Sequence, residues 1–453
     1  MNRYASVLAL LIWVAPLSAA DVKERAPGPK TTGAVFQWQS KGGVAYRYRI
    51  PKKYDATKGA NLVVILHGSN LDRRWGFANH SAKKFRPGDI VLCPDGTTSN
   101  KNGGFNFLNA RNDVKQVHAL LDEWKAAFKI NATFLYGHSQ GSFFAFLFVG
   151  EYPDDVQGIV GHASGVWTNT QQTKKGHGLA IVLMHGTQDP VVPYVQSAGG
   201  LESYTAAKYP MVRLRSLEGW NHWPAEHNGP VPHTSQQIAW CEGMTTDDPA
   251  RMEACFDFLA TCKNKQRTDY AAVYSLAQRF AANDAASPAL KKRATSAMKT
   301  IEALAQSHAD ALAKIDLAEF QAERWLGHAP MFLRAFAGVP ARDAYAETWG
   351  KLLKKQQKDG NKQYGKYWTA MRKSKPADAF TAGVAAVKAA YLWQRITENA
   401  FLGNLATWEK NAKKHRISKK ALKDYATYVK PFAKALKGGA GDFDRLNRKC
   451  GKL

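Results

Sequence analysis

Short apolar runs alternate with helical patterns in the first half of the chain. Between the runs, apolar residues recur every three or four positions, as in NDVKQVHALLDEWKAAF from Asn112 to Phe128, and this spacing lines one face of a helix. A second such stretch runs from Tyr194 to Tyr209. Strands that alternate with helices predict an α/β domain with a mostly parallel, doubly wound sheet. The predicted strands are Val44–Ile50, Leu62–Leu66, Ile90–Cys93, Thr133–Tyr136, Gly158–Val160, Ala180–Met184 and Val212–Leu217.

After Pro249 the pattern becomes that of helices alone. Segments rich in Ala, Lys, Leu and Glu follow one another, with Gly and Pro mostly at the joints. Because a single core rarely grows beyond about 250 to 300 residues, we expect two domains in this chain of 453 residues. They are an α/β domain at residues 30–248 and a basic all-helical domain at residues 266–453. The predicted helices of the second domain are Asp269–Ala282, Pro288–Trp325, Ala341–Gln357, Asp378–Leu402 and Ser418–Lys437.

The first twenty residues have the pattern of a secretory signal peptide. Arg3 supplies a basic start, an apolar stretch runs from Ala5 to Pro16, and Ser18 and Ala20 are small residues at the cleavage position. We predict that residues 1–20 are removed and that the protein is secreted or periplasmic. A membrane anchor would need about 20 apolar residues, which is longer than this run. We expect no transmembrane segment in the mature chain.

The five cysteines show neither a disulfide framework nor a metal motif. They are Cys93, Cys241, Cys255, Cys262 and Cys450, an odd number, so at least one has no internal disulfide partner. Residues seven apart on one helix are separated by about 10.5 Å, so Cys255 and Cys262 cannot bond if they share a helix. Pairing of Cys241 with either of them stays open, and so does a bond from another cysteine to Cys450. No spacing is typical of zinc ligands, and we expect no metal.

Positive charge is concentrated in the predicted helical domain. The formal net charge is +26, and from residue 267 onward there are 35 Lys and Arg against 16 Asp and Glu. Clustered positive charge attracts polyanions, so an anionic polysaccharide or the cell envelope is a candidate partner of this domain. A solvated helical surface without such a partner is the favoured interpretation. Nucleic acid is not expected, because the chain is predicted to be exported and has no groove-reading motif.

The stretch TFLYGHSQGSFFAF, from Thr133 to Phe146, carries the first chemical signal. An apolar strand pattern breaks into Gly137-His138-Ser139-Gln140-Gly141 and resumes as a helix pattern. This is the G-x-S-x-G nucleophile elbow, in which a strained turn raises a serine hydroxyl above a sheet. The glycines are needed because a Cβ would collide with the neighbouring strand or helix. The alternative interpretation is an incidental glycine-rich turn.

A serine hydroxyl needs a base and an orienting acid to become a nucleophile. Asp189 follows the predicted strand LAIVLMHG, and His222 follows the next one, VRLRSLEG. The order Ser139, Asp189, His222 is the order that this type of sheet imposes on a Ser-His-Asp triad. Taken alone, Asp189 would be interpreted as part of an Asp-Pro turn. His222 is one of 13 histidines, and most of these are expected to lie at the surface or to pack in the core.

Two backbone N–H groups are candidates for stabilising an oxyanion. The strand NLVVIL ends in His67-Gly68-Ser69-Asn70, and Gln140 follows the candidate nucleophile. In enzymes with this kind of elbow, the loop after the corresponding strand and the residue after the serine each donate one N–H. This loop and Gln140 are therefore the candidates for an oxyanion hole. A plain glycine turn is the alternative for the first loop.

The chain resembles the family of secreted polyhydroxybutyrate depolymerases and feruloyl esterase-like α/β hydrolases. The matching segments lie between about residues 40 and 225, in the family's order: VVILHGSN, VLCPDGTTSN, NDVKQVHALLDEW, FLYGHSQGSFFAFLFVGEYPDDVQGIVGHASG, VLMHGTQDPVVPY and EGWNHWP. The resemblance implies an α/β-hydrolase fold. It also implies Ser139 as nucleophile, Asp189 as acid, His222 as base, and Ser69 and Gln140 as oxyanion donors. The implied activity is hydrolysis of carboxylic esters through an acyl-enzyme, without a cofactor.

The substrate and two competing functions stay open at this point. Feruloyl or acetyl esters and polyhydroxyalkanoates are the candidate substrates. A serine peptidase of the prolyl-peptidase type shares this fold and triad order, and a catalytically silent binding protein is the other alternative. Aromatic residues beside the motifs are candidates for lining the substrate site, with packing as the competing role: Trp75, Trp220 and Trp223, and further Phe105 and Trp167.

Overall fold

The computed structural model describes most of the chain as two compact units. The described residues are 33–80, 84–166, 178–224, 233–261, 268–315, 319–389 and 399–449. The first unit ends at Asn131 and the second begins at Ala132. The predicted signal peptide, Cys262, Cys450 and Trp167 lie outside the described residues. The domain boundaries given above stay a prediction.

The first unit contains a small mixed sheet. Its four strands are β1 (Val35–Gln39), β2 (Ala45–Arg49), β3 (Ala60–Leu66) and β4 (Ile90–Pro94). β1 and β2 are antiparallel, β2 and β4 are antiparallel, and β3 and β4 are parallel, which gives the order β1-β2-β4-β3. β3 and β4 are buried along their whole length, which explains their continuous apolar sequence. A two-stranded ribbon and two helices complete the unit: β5 (Thr98–Ser99), β6 (Phe105–Asn106), α1 (Arg74–Asn79) and α2 (Ala110–Ala127).

The second unit begins with a parallel sheet. Its strands are β7 (Ile130–His138, which belongs to this unit from Ala132 onward), β8 (Gly158–His162), β9 (Ala180–Gly186) and β10 (Val212–Leu217). β7 pairs with β8, β8 with β9, and β9 with β10, all parallel. The helices α3 (Gln140–Glu151) and α4 (Val195–Ala206) follow β7 and β9. Because parallel strands end at one edge of the sheet, the loops after β7, β9 and β10 share that edge.

The rest of the second unit is helical. Several of its helices begin with the expected caps, since Asp248, Asp269, Ser287 and Ser418 each accept a hydrogen bond from a first-turn N–H group. The helices are α5 (His233–Thr245), α6 (Pro249–Ala260), α7 (Tyr270–Ala282), α8 (Pro288–Ala313), α9 (Glu319–Ala335), α10 (Pro340–Arg372), α11 (Pro376–Ala389), α12 (Asn399–Lys410), α13 (Lys419–Asp424), a π-helix (Tyr425–Val429) and α14 (Lys430–Lys449). No helix within the described ranges is both long and apolar enough to cross a membrane.

The structure confirms the predicted α/β class with a mostly parallel sheet and a helical C-terminal region. All seven predicted strands are present, most of them longer than predicted. The stretch Pro288–Trp325 was predicted as one helix and is divided between α8 and α9, because α8 ends at Ala313. β1, β5, β6, α1, α5 and α6 were not predicted.

Three of the five cysteines lie in the described part of the chain. Cys93, Cys241 and Cys255 are buried thiols. No disulfide therefore joins Cys241 to Cys255, which was one of the open pairings. The pairings that involve Cys262 or Cys450 stay untested.

A buried ion pair joins β10 to the start of α7. The Arg213 guanidinium donates to both carboxylate oxygens of Asp269, at 2.5 and 2.9 Å, and Gln237 of α5 donates to the same carboxylate at 3.0 Å. Burial alone would raise the pKa of Asp269, but the charges of Arg213 and Arg215 outweigh it and hold that pKa well below its ordinary value. The carboxylate is therefore charged at neutral pH.

Replacing Asp269 should destabilise the second unit strongly. Asp269→Ala leaves buried guanidinium groups without their counter-charge, and the expected loss is about 3 to 5 kcal/mol in the free energy of unfolding, measured by chemical denaturation. Because the folded-state pKa is depressed, the stabilisation is present above the ordinary value of about 4 and is lost as the pH falls below it. The exposed Asp284→Ala is the control and should change stability little. Equal stability of the two variants would contradict the role of Asp269.

Candidate active site

Ser139 occupies a sharp turn between β7 and α3. β7 ends at His138 and α3 begins at Gln140, so Ser139 is the single residue between them. Its backbone has φ 51° and ψ −119°, a conformation that residues with a side chain rarely adopt. The Ser139 N–H donates to the carbonyl of His162 at the end of β8 (2.9 Å), and the Ser139 carbonyl accepts from the N–H of Phe143 (3.1 Å). The strained turn is held by hydrogen bonds on both sides.

Two glycines next to the turn leave no space for a side chain. A Cβ on Gly137 would lie 2.4 Å from the Gly141 carbonyl oxygen and 2.5 Å from the Ser142 Cα. A Cβ on Gly161 of β8 would lie 2.4 Å from the Phe146 ring. All of these distances are shorter than a carbon contact permits. Helix α3 therefore packs directly on β7 and β8, and this close packing forces the sharp turn at Ser139.

Asp189 and His222 are joined by a hydrogen bond at the end of the sheet. They lie in the loops after β9 and β10, and both side chains are buried. His222 Nδ1 donates to Asp189 Oδ2 at 2.7 Å. The other carboxylate oxygen, Oδ1, accepts from the N–H groups of Val191 (2.8 Å) and Val192 (2.9 Å). Because Nδ1 donates, Nε2 of a neutral His222 ring is the nitrogen that can accept a proton.

A second histidine shares the same carboxylate oxygen. His185, near the end of β9, lies with its Nε2 3.1 Å from Asp189 Oδ2. Burial alone would raise the pKa of Asp189, but the hydrogen bonds and charges of His185 and His222 outweigh it and hold that pKa well below its usual range. Sequence reasoning missed His185. The only signal was its position in the strand LAIVLMHG, where it reads as one more strand residue.

The loop of His222 contacts the residue before Ser139. His138 Nε2 donates to the His222 carbonyl at 2.9 Å, and the two rings lie 4.9 Å apart. Among the hydrogen bonds of the described residues, none joins the Ser139 hydroxyl to the His222 ring. Bonds between a nucleophile and its base are often long before substrate binds. The structure thus brings Asp189 and His222 together, and it places the chain segment of Ser139 beside them.

Ser69, one of the two predicted oxyanion donors, belongs to the first unit. It follows β3 in a loop in which Asn70 has a positive φ of 61°. The Asn70 N–H donates to Asn106 Oδ1 (3.0 Å), and Asn106 Nδ2 donates back to Asn70 Oδ1 (3.0 Å). His67 is buried, accepts from the Gly96 N–H, and has its pKa lowered to about 4 by burial. These contacts hold the loop of Ser69 rigidly within the first unit.

Gln140 begins helix α3 in the second unit. Its backbone N–H lies at the N-terminal end of the helix, the end that favours a nearby anionic oxygen. This position fits a donor to an anionic oxygen next to Ser139. In the described part of the chain, no cluster of three or more His, Cys, Asp or Glu side chains has the arrangement of a metal site.

The three tryptophans predicted to line the substrate site have different surroundings. Trp223 is 51% exposed, and its ring meets the His222 ring edge-on at 5.1 Å. Trp220 is half-buried and lines a cavity of about 240 Å³ beside β10, together with Glu218 and Arg334. Trp75 is half-buried in α1 of the first unit. Trp223 is thus an aromatic residue in contact with the candidate base.

Comparison with known proteins identifies a related family over part of the chain. Residues 107–227 match the model of a family described as phospholipase/carboxylesterase. This segment contains the turn at Ser139 and both members of the Asp189–His222 pair. The match supports a hydrolase of ester bonds and, with the sheet described above, confirms the predicted α/β-hydrolase fold. None of the curated proteins matches the chain.

Several solved structures are similar to the chain at low identity. The Bacillus cereus carboxylesterase is 18% identical over 44% of this chain and 94% of its own, with a TM-score of 0.37. A carboxylesterase from Mesorhizobium loti is 14% identical over 43% of this chain and 94% of its own, with a TM-score of 0.35. Est1E from Butyrivibrio proteoclasticus, with ferulic acid bound, is 16% identical over 45% of this chain and 99% of its own, with a TM-score of 0.33.

A side chain at position 137 should disrupt the turn. Gly137→Ala places a methyl group against the backbone of Gly141 and Ser142, and overpacking of this kind costs about 1 to 3 kcal/mol. Thermal unfolding should show a lowered Tm. The matched control is Gly199→Ala within α4, where a Cβ meets nothing within 4 Å and where alanine favours the helix. An unchanged Tm for Gly137→Ala would contradict the close packing of α3.

Proposed function

We propose that the protein is an exported serine hydrolase that cleaves carboxylic esters through an acyl-enzyme. The observation that carries the proposal is the buried hydrogen bond between His222 Nδ1 and Asp189, next to the strained turn of Ser139. A hydrogen-bonded carboxylate and imidazole are the orienting acid and the base that a serine nucleophile requires. The match of residues 107–227 to a phospholipase/carboxylesterase family supports the same reaction class.

The proposed mechanism has two steps. The Ser139 hydroxyl oxygen bonds to the ester carbonyl carbon while His222 Nε2 takes the hydroxyl proton, and the backbone N–H groups of Ser69 and Gln140 stabilise the oxyanion. The C–O bond to the alcohol then breaks, and His222 returns the proton to the departing alkoxide. In the second step, water bonds to the acyl carbon while His222 Nε2 takes a water proton. The bond between the acyl carbon and Ser139 Oγ then breaks, His222 returns the proton to Ser139, and the acid is released. Asp189 remains ionised and stabilises the imidazolium that forms at His222.

The proposed substrates are feruloyl or acetyl esters, with polyhydroxyalkanoates as the second candidate. Support comes from Trp223, which offers a half-exposed aromatic surface directly beside His222. An aromatic ring at this position provides a contact for the acyl group or the alcohol of the ester. Export to the periplasm or medium, and binding of the basic helical region to an anionic polysaccharide or the cell envelope, are part of the same proposal.

Removing the Ser139 hydroxyl tests the reaction class directly. Ser139→Ala should lower kcat for short nitrophenyl esters by at least about 1,000-fold and abolish labelling by a fluorophosphonate probe. The control is Ser307→Ala, an exposed serine on α8, which should keep both. An undiminished rate in Ser139→Ala would disprove the mechanism. Faster cleavage of peptide nitroanilides than of feruloyl, acetyl and hydroxybutyrate esters would favour the peptidase instead.

A further inference from the structure

A salt bridge attaches the helical region to the residue that follows β10. Arg334 of α9 donates through Nε to Glu218 Oε1 (2.5 Å) and through Nη2 to Glu218 Oε2 (2.6 Å). Glu218 immediately follows β10 and lies four residues before His222. Paired, parallel hydrogen bonds between a guanidinium and a carboxylate fix both distance and orientation. The C-terminal helices are thus attached to the loop that carries the candidate base.

The same loop is attached to the loop of Asp189. The Gly219 N–H donates to the Thr187 hydroxyl (2.9 Å), and the Gln188 N–H donates to the Trp220 carbonyl (3.0 Å). We infer that Arg334 is a positioning residue, through which α9 holds the His222 loop against the Asp189 loop. The kinetic consequence of this inference rests on the proposed function.

Loss of this attachment should lower turnover more than binding. Arg334→Gln and Glu218→Gln should each reduce kcat about 10- to 100-fold, the effect of a small misplacement of a catalytic group, with KM little changed. The double variant should lose no more than either single one, because the pair acts as a unit. Arg293→Gln, in the exposed pair with Glu253, is the control. A lowered Tm with unchanged kcat would reduce Arg334 to a structural role and overturn the inference.

Discussion

The arrangement of the site depends on one buried carboxylate. Asp189 is closed off from solvent, and a carboxylate in such a place is tolerated only when donors satisfy both of its oxygens. Two backbone N–H groups of its own loop satisfy Oδ1, and two imidazoles from the ends of β9 and β10 meet at Oδ2. The positions of His185 and His222 are therefore set by the need to compensate this charge.

Buried and partly buried ion pairs also connect the helical region to the sheet in the second unit. Asp269 at the start of α7 and Arg334 of α9 both pair with side chains at β10, the strand that precedes His222. Separating either pair would leave a charged group in a poorly hydrated place, which costs far more than an exposed pair contributes. The C-terminal helices are consequently part of the support of the candidate site as well as a source of positive charge.

The local sequence pattern predicted most of the elements that are buried on one face, and most of the strands that are buried along their whole length. β3, β4, β8 and β9 are continuous apolar runs because both of their faces are covered. Helix α5 was not predicted, since its residues from His233 to Gly243 are buried on every side. A helix without a solvent face has no apolar periodicity to detect. Strand β1, half-buried throughout, also lacks a clear alternation.

The sequence by itself determined the order of the chemical groups, because Ser139, Asp189 and His222 each follow a recognisable strand and glycine spacing marks the turn. Only the tertiary structure decided which side chains share a hydrogen bond. His185 and Arg334 carry no motif, and each gains its role from a partner on another chain segment: a carboxylate in the next loop, or a glutamate more than a hundred residues away. Partner choice depends on distance and burial in space, which local sequence patterns do not encode.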